Sequence, residues 1–113
     1  MNGASCASST TESAVARRGH WADCHLHTRY SGHGTGTVEE MCCAAEQAGL
    51  ETIAFTEHLR LPFEVDPHGD FSMTLEQETL YRDEVFRARE SHPDLVIVYG
   101  CEADWRPGAA SYL

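Results

Sequence analysis

Three short β-rich runs are separated by two segments, each of which can hold a helix. The runs are WADCHLH (21–27), TIAFT (52–56) and LVIVYG (95–100). The segment TVEEMCCAAEQAG (37–49) reads as a helix. Thr37 and Glu40 fit a capping box at its start, and Gly49 fits a left-handed stop at its end. A second helix is predicted from near Ser72 or Thr74 to about Ser91, with Tyr81, Val85 and Ala88 on its inner stripe. His92-Pro93 ends it. The order is therefore β-α-β-α-β. Crossovers of this length imply a parallel sheet with right-handed connections. The unbroken apolar run at 95–100 is expected to be a strand buried on both faces.

A closed α/β barrel takes roughly 250 residues. The chain has 113 residues, which leads to the expectation that it forms the N-terminal part of a larger barrel. The alternative is a small three-stranded α/β unit, which would leave the third strand as an apolar edge. Residues 1–19 are small and polar and are expected to be a disordered tail, with the folded domain spanning 20–113.

Composition narrows the partners. The formal net charge is −10, and all eight basic residues are arginine. Such a field repels nucleic acid and anionic membranes, so neither is expected as a partner. An anionic substrate would need local positive charge, which bound metal ions supply. The five cysteines form no Cys-x-x-Cys, and no secretory signal or membrane-length apolar run is seen. Reduced thiols and a cytoplasmic location are the expectation.

The polar residues cluster at one end of the predicted strands. His25 and His27 close the first strand, and side chains two apart on a strand face the same way. His33 lies in the glycine-rich loop that follows. Glu57 and His58 follow the second strand, and Glu102 and Asp104 follow the third. This is the face on which α/β proteins build their sites. Each piece alone has a plain structural reading: solvated histidines, a helix cap, a satisfied carboxylate. Together they place four histidines and two or three carboxylates on one face. Imidazole with carboxylate, and no cysteine cluster, suits Zn, Fe or Mn. Four histidines and a bridging glutamate exceed what one open catalytic ion needs, pointing to two or more ions. Such clusters hydrolyse phosphoesters, and amides are possible.

DCHLHT, SGHG, AFTEHLRLP and YGCEADW, in this order and spacing, resemble the PHP (polymerase and histidinol phosphatase) family, in particular its histidinol-phosphatase branch. The resemblance covers residues 21 to about 108. It implies a distorted (β/α)7 TIM-like barrel with up to three divalent metal ions. By position, His25, His27 and Glu102 would hold the first ion, Glu102 would bridge to the second, and His33 and His58 would hold the third. A metal-bound water would be the nucleophile, with no side-chain base assigned. The implied reaction converts L-histidinol phosphate and water to L-histidinol and phosphate, in histidine biosynthesis. Glu57, Asp104 and Arg60 are expected to orient a ligand or touch the small phosphorylated substrate. Two departures stand out: Gly32-His33 replaces the branch's usual Pro-His, and Arg60 stands where small residues are common. The family's remaining histidine ligands, a late Asp-x-His and the phosphate-binding arginines have no counterpart in these residues. The alternatives are a PHP-type nuclease or nucleotide phosphatase, an amidohydrolase, and a metal-binding fragment without turnover. Oligomeric state is not readable.

Overall fold

The computed structural model describes residues 20–108; the expected tail at 1–19 lies outside them. The elements are β1 (Ala22–Leu26), α1 (Val38–Ala48), β2 (Thr52–His58), α2 (Leu75–Ser91) and β3 (Val96–Glu102). All strand pairs are parallel, in the order β1-β2-β3. Among the described residues no helix is long and apolar enough to cross a membrane.

The helix ends follow from their caps. Thr37 and Glu40 form a reciprocal capping box, and Gly49 takes φ 81° with its N–H returned to Ala45 and Glu46. In α2 the same device uses Thr74 and Gln77.

One core lies between the sheet and both helices. Val38, Cys42 and Ala45 from α1 meet Tyr81, Val85 and Ala88 from α2 over Ile53, Phe55 and Ile97. With strands in sequential order, two right-handed crossovers put both helices on the same side. Phe55 is fully buried, and each such side chain contributes about 1.5–3 kcal/mol. The opposite face of β3 is open: Val96 is 54% and Val98 42% exposed. The expectation of a strand buried on both faces is therefore corrected. Of the residues of β3 only Ile97 is buried.

Two strands run further than the sequence pattern indicates. β2 extends through His58 and β3 through Glu102, with Glu57 opposite Cys101 and His58 opposite Glu102. Alternation along β2 then sends Glu57 toward the helices and His58 to the open face. The thiols also need correction. Cys24, Cys42 and Cys101 are free, but Cys43 is disulfide-bonded. Burial, with Glu39 and Glu46 nearby, pushes the Cys42 thiol up to about 12, so it is an inert packing group.

His92 caps α2 and ties the helices together. Its Nδ1 donates to Glu46 at 2.8 Å and its Nε2 to Glu39 at 2.6 Å, and the residue is 4% exposed. Burial opposes its charge, but the two carboxylates prevail and raise its pKa above 6.5. A raised histidine pKa stabilises the fold fully below its unfolded value. That stability fades as pH rises through the folded value. Urea unfolding should therefore show a loss of stability from near neutral pH upward. His92→Gln should lower stability at pH 6 by about 1–3 kcal/mol and flatten that slope.

Candidate metal centre

The site is assembled at the C-terminal ends of the three strands, and an irregularity in β1 starts it. Asp23 pairs with Ile53 and Leu26 with Phe55, so β1 advances one residue more than β2 between these points. The extra residue is the signature of a β-bulge, which re-aims side chains. The displaced N–H of His25 donates to Asp23 Oδ1 at 3.1 Å. Thr56 stitches the next step through its hydroxyl, accepting from Leu26 N at 3.1 Å and donating to Leu26 O at 3.2 Å.

Beyond the bulge the predicted ligands converge. His25 Nε2 and His27 Nε2 stand 2.8 and 2.9 Å from Glu102 Oε1, and 3.1 Å from each other. Across His27, the Nε2 atoms of His33 and His58 meet at 2.9 Å. The ring of His27 lies 4.9 Å from His33 and 4.8 Å from His58. Two groups of three result, His25–His27–Glu102 and His27–His33–His58. The ligand atoms within each lie within 4.8 Å of one another. His27 belongs to both.

The donor set fits a cation. Glu57, 1% exposed on the helix side of β2, accepts from His27 Nδ1 at 3.2 Å and from Thr28 N at 2.8 Å, and also from the Thr28 hydroxyl. His27 Nδ1 is thereby turned to Glu57 and its Nε2 to Glu102. The hydrogen bond to His25 is the largest influence on Glu102 and, with His58 and His27, holds its carboxyl below the usual range against burial. His25, His27 and Glu102 thus turn three atoms of metal-binding type toward one point, an arrangement that a cation would fit.

The loop carrying His33 depends on its glycines. A Cβ on Gly32 would lie 1.5 Å from the Asp70 carbonyl oxygen, and one on Gly34 would lie 2.3 Å from the Thr28 carbonyl oxygen. The backbone contact at Gly32 is where the β1–α1 loop meets the β2–α2 loop. Asp66 shapes that second loop. It accepts from the backbone N–H of Asp70, Phe71 and Ser72 and from the Ser72 hydroxyl. Burial works against its charge, but these bonds win and keep its pKa low. Phe71 is thereby set beside His33 and His58, with ring centroids 6.0 and 6.4 Å away. Gly32→Ala should part the two loops, costing about 1–3 kcal/mol. Thermal unfolding reads the cost, and the His33 ring signals in an NMR spectrum should shift while those of His92 stay in place.

Other sequence candidates lie apart from the ligand groups. Arg60 pairs with Glu78 at 3.2 Å, and Arg29, which is not one of those candidates, pairs with Glu84 at 3.0 Å, so both guanidinium groups are engaged on α2. Asp104 is exposed and lines a cleft of ≈ 360 Å³ with His33, His58, Leu61, Val65 and Phe71. The sequence reading passed over Asp66, Phe71 and Thr28. Asp66 sits in DPHGDFS, where an aspartate ahead of a turn is a signal of backbone capping.

Residues 23–112 match the PHP domain family model. The chain belongs to the PHP domain family. This is a metal-dependent family, and the His/Glu groups described above are able to hold metal. The chain is 37% identical over 92 residues to a "Probable histidinol-phosphatase" of Deinococcus radiodurans, covering 80% of this chain and 35% of that protein. Its fold is similar to the crystal structure of a "putative histidinol phosphatase" from Listeria monocytogenes, with TM-score 0.69 and 27% identity, covering 77% of this chain and 36% of that one. That neighbour is a TIM-like barrel, of which the β-α-β-α-β unit here covers part. The chain spans about a third of the length of these relatives.

Proposed function

We propose that this PHP chain belongs to a metal-dependent histidinol-phosphatase, hydrolysing L-histidinol phosphate to L-histidinol and phosphate. The observation that carries the reading is the pair of ligand groups joined at His27, set at the strand ends. The similarity to two proteins named as histidinol phosphatases supports the substrate.

In this reading His25, His27 and Glu102 hold one ion and His33 and His58, with His27 beside them, hold another. Zn, Fe or Mn suits these donors. The ions, when bound, supply an activated water near neutral pH and neutralise charge growing on the phosphoryl oxygens. The protein's own part is placement. The β1 bulge aims His25 at the centre. Glu57 fixes the His27 ring and its tautomer, a partner that metal-binding histidines commonly need. The glycine-rich loop brings His33 over His58.

The test is phosphate release from L-histidinol phosphate, nucleotides and p-nitrophenyl phosphate with Zn, Fe or Mn added. It is to be run on this chain and on the product of its full reading frame. L-Histidinol phosphate should be preferred by kcat/KM, and chelation should abolish release. Equal turnover of nucleotides would favour the nucleotidase reading, and no release from any phosphoester by either protein would refute a phosphatase.

A further inference from the structure

The cleft beside the metal ligands has a mixed character that the metal groups do not account for. It is lined by His33 and His58, by the apolar Leu61, Val65 and Phe71, and by Asp104. Among the described residues no arginine lines it; Arg29 and Arg60 are held by Glu84 and Glu78. At ≈ 360 Å³ it has the size of a small-molecule site. The chain's charge of −10 adds no compensating positive field. An apolar and aromatic lining that also holds one carboxylate residue suits a short organic cation, because the stem is desolvated along the apolar side chains while the charge meets its counter-ion.

The geometry points to Asp104 as the residue that selects substrate by its protonated amine. The ammonium group sits at the Asp104 end, the carbon stem lies along Phe71, and the phosphate end faces His33 and His58. Asp104 is thereby a specificity residue and not a metal ligand. It falls outside both ligand groups, whose members gather around Glu102 and His58. The inference rests on the phosphatase reading for the position of the phosphate end. Recognition of the amine is testable without turnover.

The experiment is calorimetric titration of the zinc-loaded chain with L-histidinol and with 3-(imidazol-4-yl)propan-1-ol, the same skeleton without the amine. Zinc content is measured alongside. L-Histidinol should bind about tenfold more tightly, the effect of one charge-assisted contact in a partly open site. In D104N the two ligands should become equal with zinc content unchanged. Equal affinities in the parent chain overturn the inference, as does a D104N chain that keeps the preference. Loss of zinc from D104N overturns it too, because Asp104 would then belong to the metal ligands. A preference for the amine in a chain whose full product releases no phosphate from L-histidinol phosphate would leave the amine site standing and remove the phosphatase reading.

Discussion

His27→Ala is expected to weaken metal retention by about 10³-fold or more and to remove nearly all phosphoester hydrolysis. The size follows from its place in the centre. His27 is the one residue common to both ligand groups, so its removal leaves His25 with Glu102 on one side and His33 with His58 on the other. Two ligands do not hold a hydrolytic ion, which takes three from the protein. Losing even an outer partner of a ligand costs 10–100-fold in affinity, and losing a shared ligand costs more. His25→Ala and His33→Ala each touch a single group, so each should lower metal content by part. Competition with a chromophoric chelator measures all three. The fold should survive in every case. His27 lies just past the end of β1 and is not a member of the core formed by Ile53, Phe55, Tyr81 and Val85. If all three variants unfolded alike, the histidines would be structural.

Glu57→Ala is expected to strike both stability and metal binding. Glu57 is buried and accepts from His27 Nδ1, Thr28 N and the Thr28 hydroxyl. Removing it strands three donors in an apolar layer beside Phe55 and Tyr81. Leaving a buried donor without its partner costs about 1–3 kcal/mol. Urea denaturation should show that loss as a fall in midpoint. Glu57→Gln keeps part of the acceptor capacity and should cost less. It should still reduce metal affinity 10–100-fold, because the tautomer of His27 is no longer held by a carboxylate. A Gln variant with parent-like metal affinity would show that Glu57 serves the fold alone.

Much of the architecture was legible because each element carries its own local signal. Thr37-x-x-Glu40 and Gly49 delimit α1 in the sequence, and the structure places the caps on those residues. Thr74 does the same for α2. The parallel order follows from helix-length crossovers, and the family match and the neighbouring barrel agree with it. Strand ends were less legible. Nothing local in Glu57-His58 marks whether a strand continues, since the extension depends on pairing with Cys101 and Glu102 forty-four residues later. The openness of Val96 and Val98 was hidden for a related reason. An apolar run records what a strand needs as cover and does not say which element of the chain provides it. The disulfide at Cys43 carried no motif.

At the site, the residue types and their order were enough to single out His25, His27, His33, His58 and Glu102 as candidate ligands, and the structure brings these five side chains together. The bulge that aims His25 was not readable, because Asp23 looks like any strand-edge aspartate until its carboxylate is seen accepting from His25 N. The sharing of His27 between two groups is likewise a matter of three-dimensional spacing. Asp66 and Gly32 act on backbone atoms of a loop distant in sequence, and no pattern within one loop reveals that contact.

The most direct measurement is equilibrium dialysis of the metal-free chain against Zn²⁺ and Mn²⁺, with bound metal counted per chain in the parent, His27→Ala and His92→Gln proteins. At least one ion per chain is expected in the parent and in His92→Gln, with retention lost in His27→Ala. A parent chain that binds no ion, or a His27→Ala chain that binds as much as the parent, would contradict a metal centre built on His27.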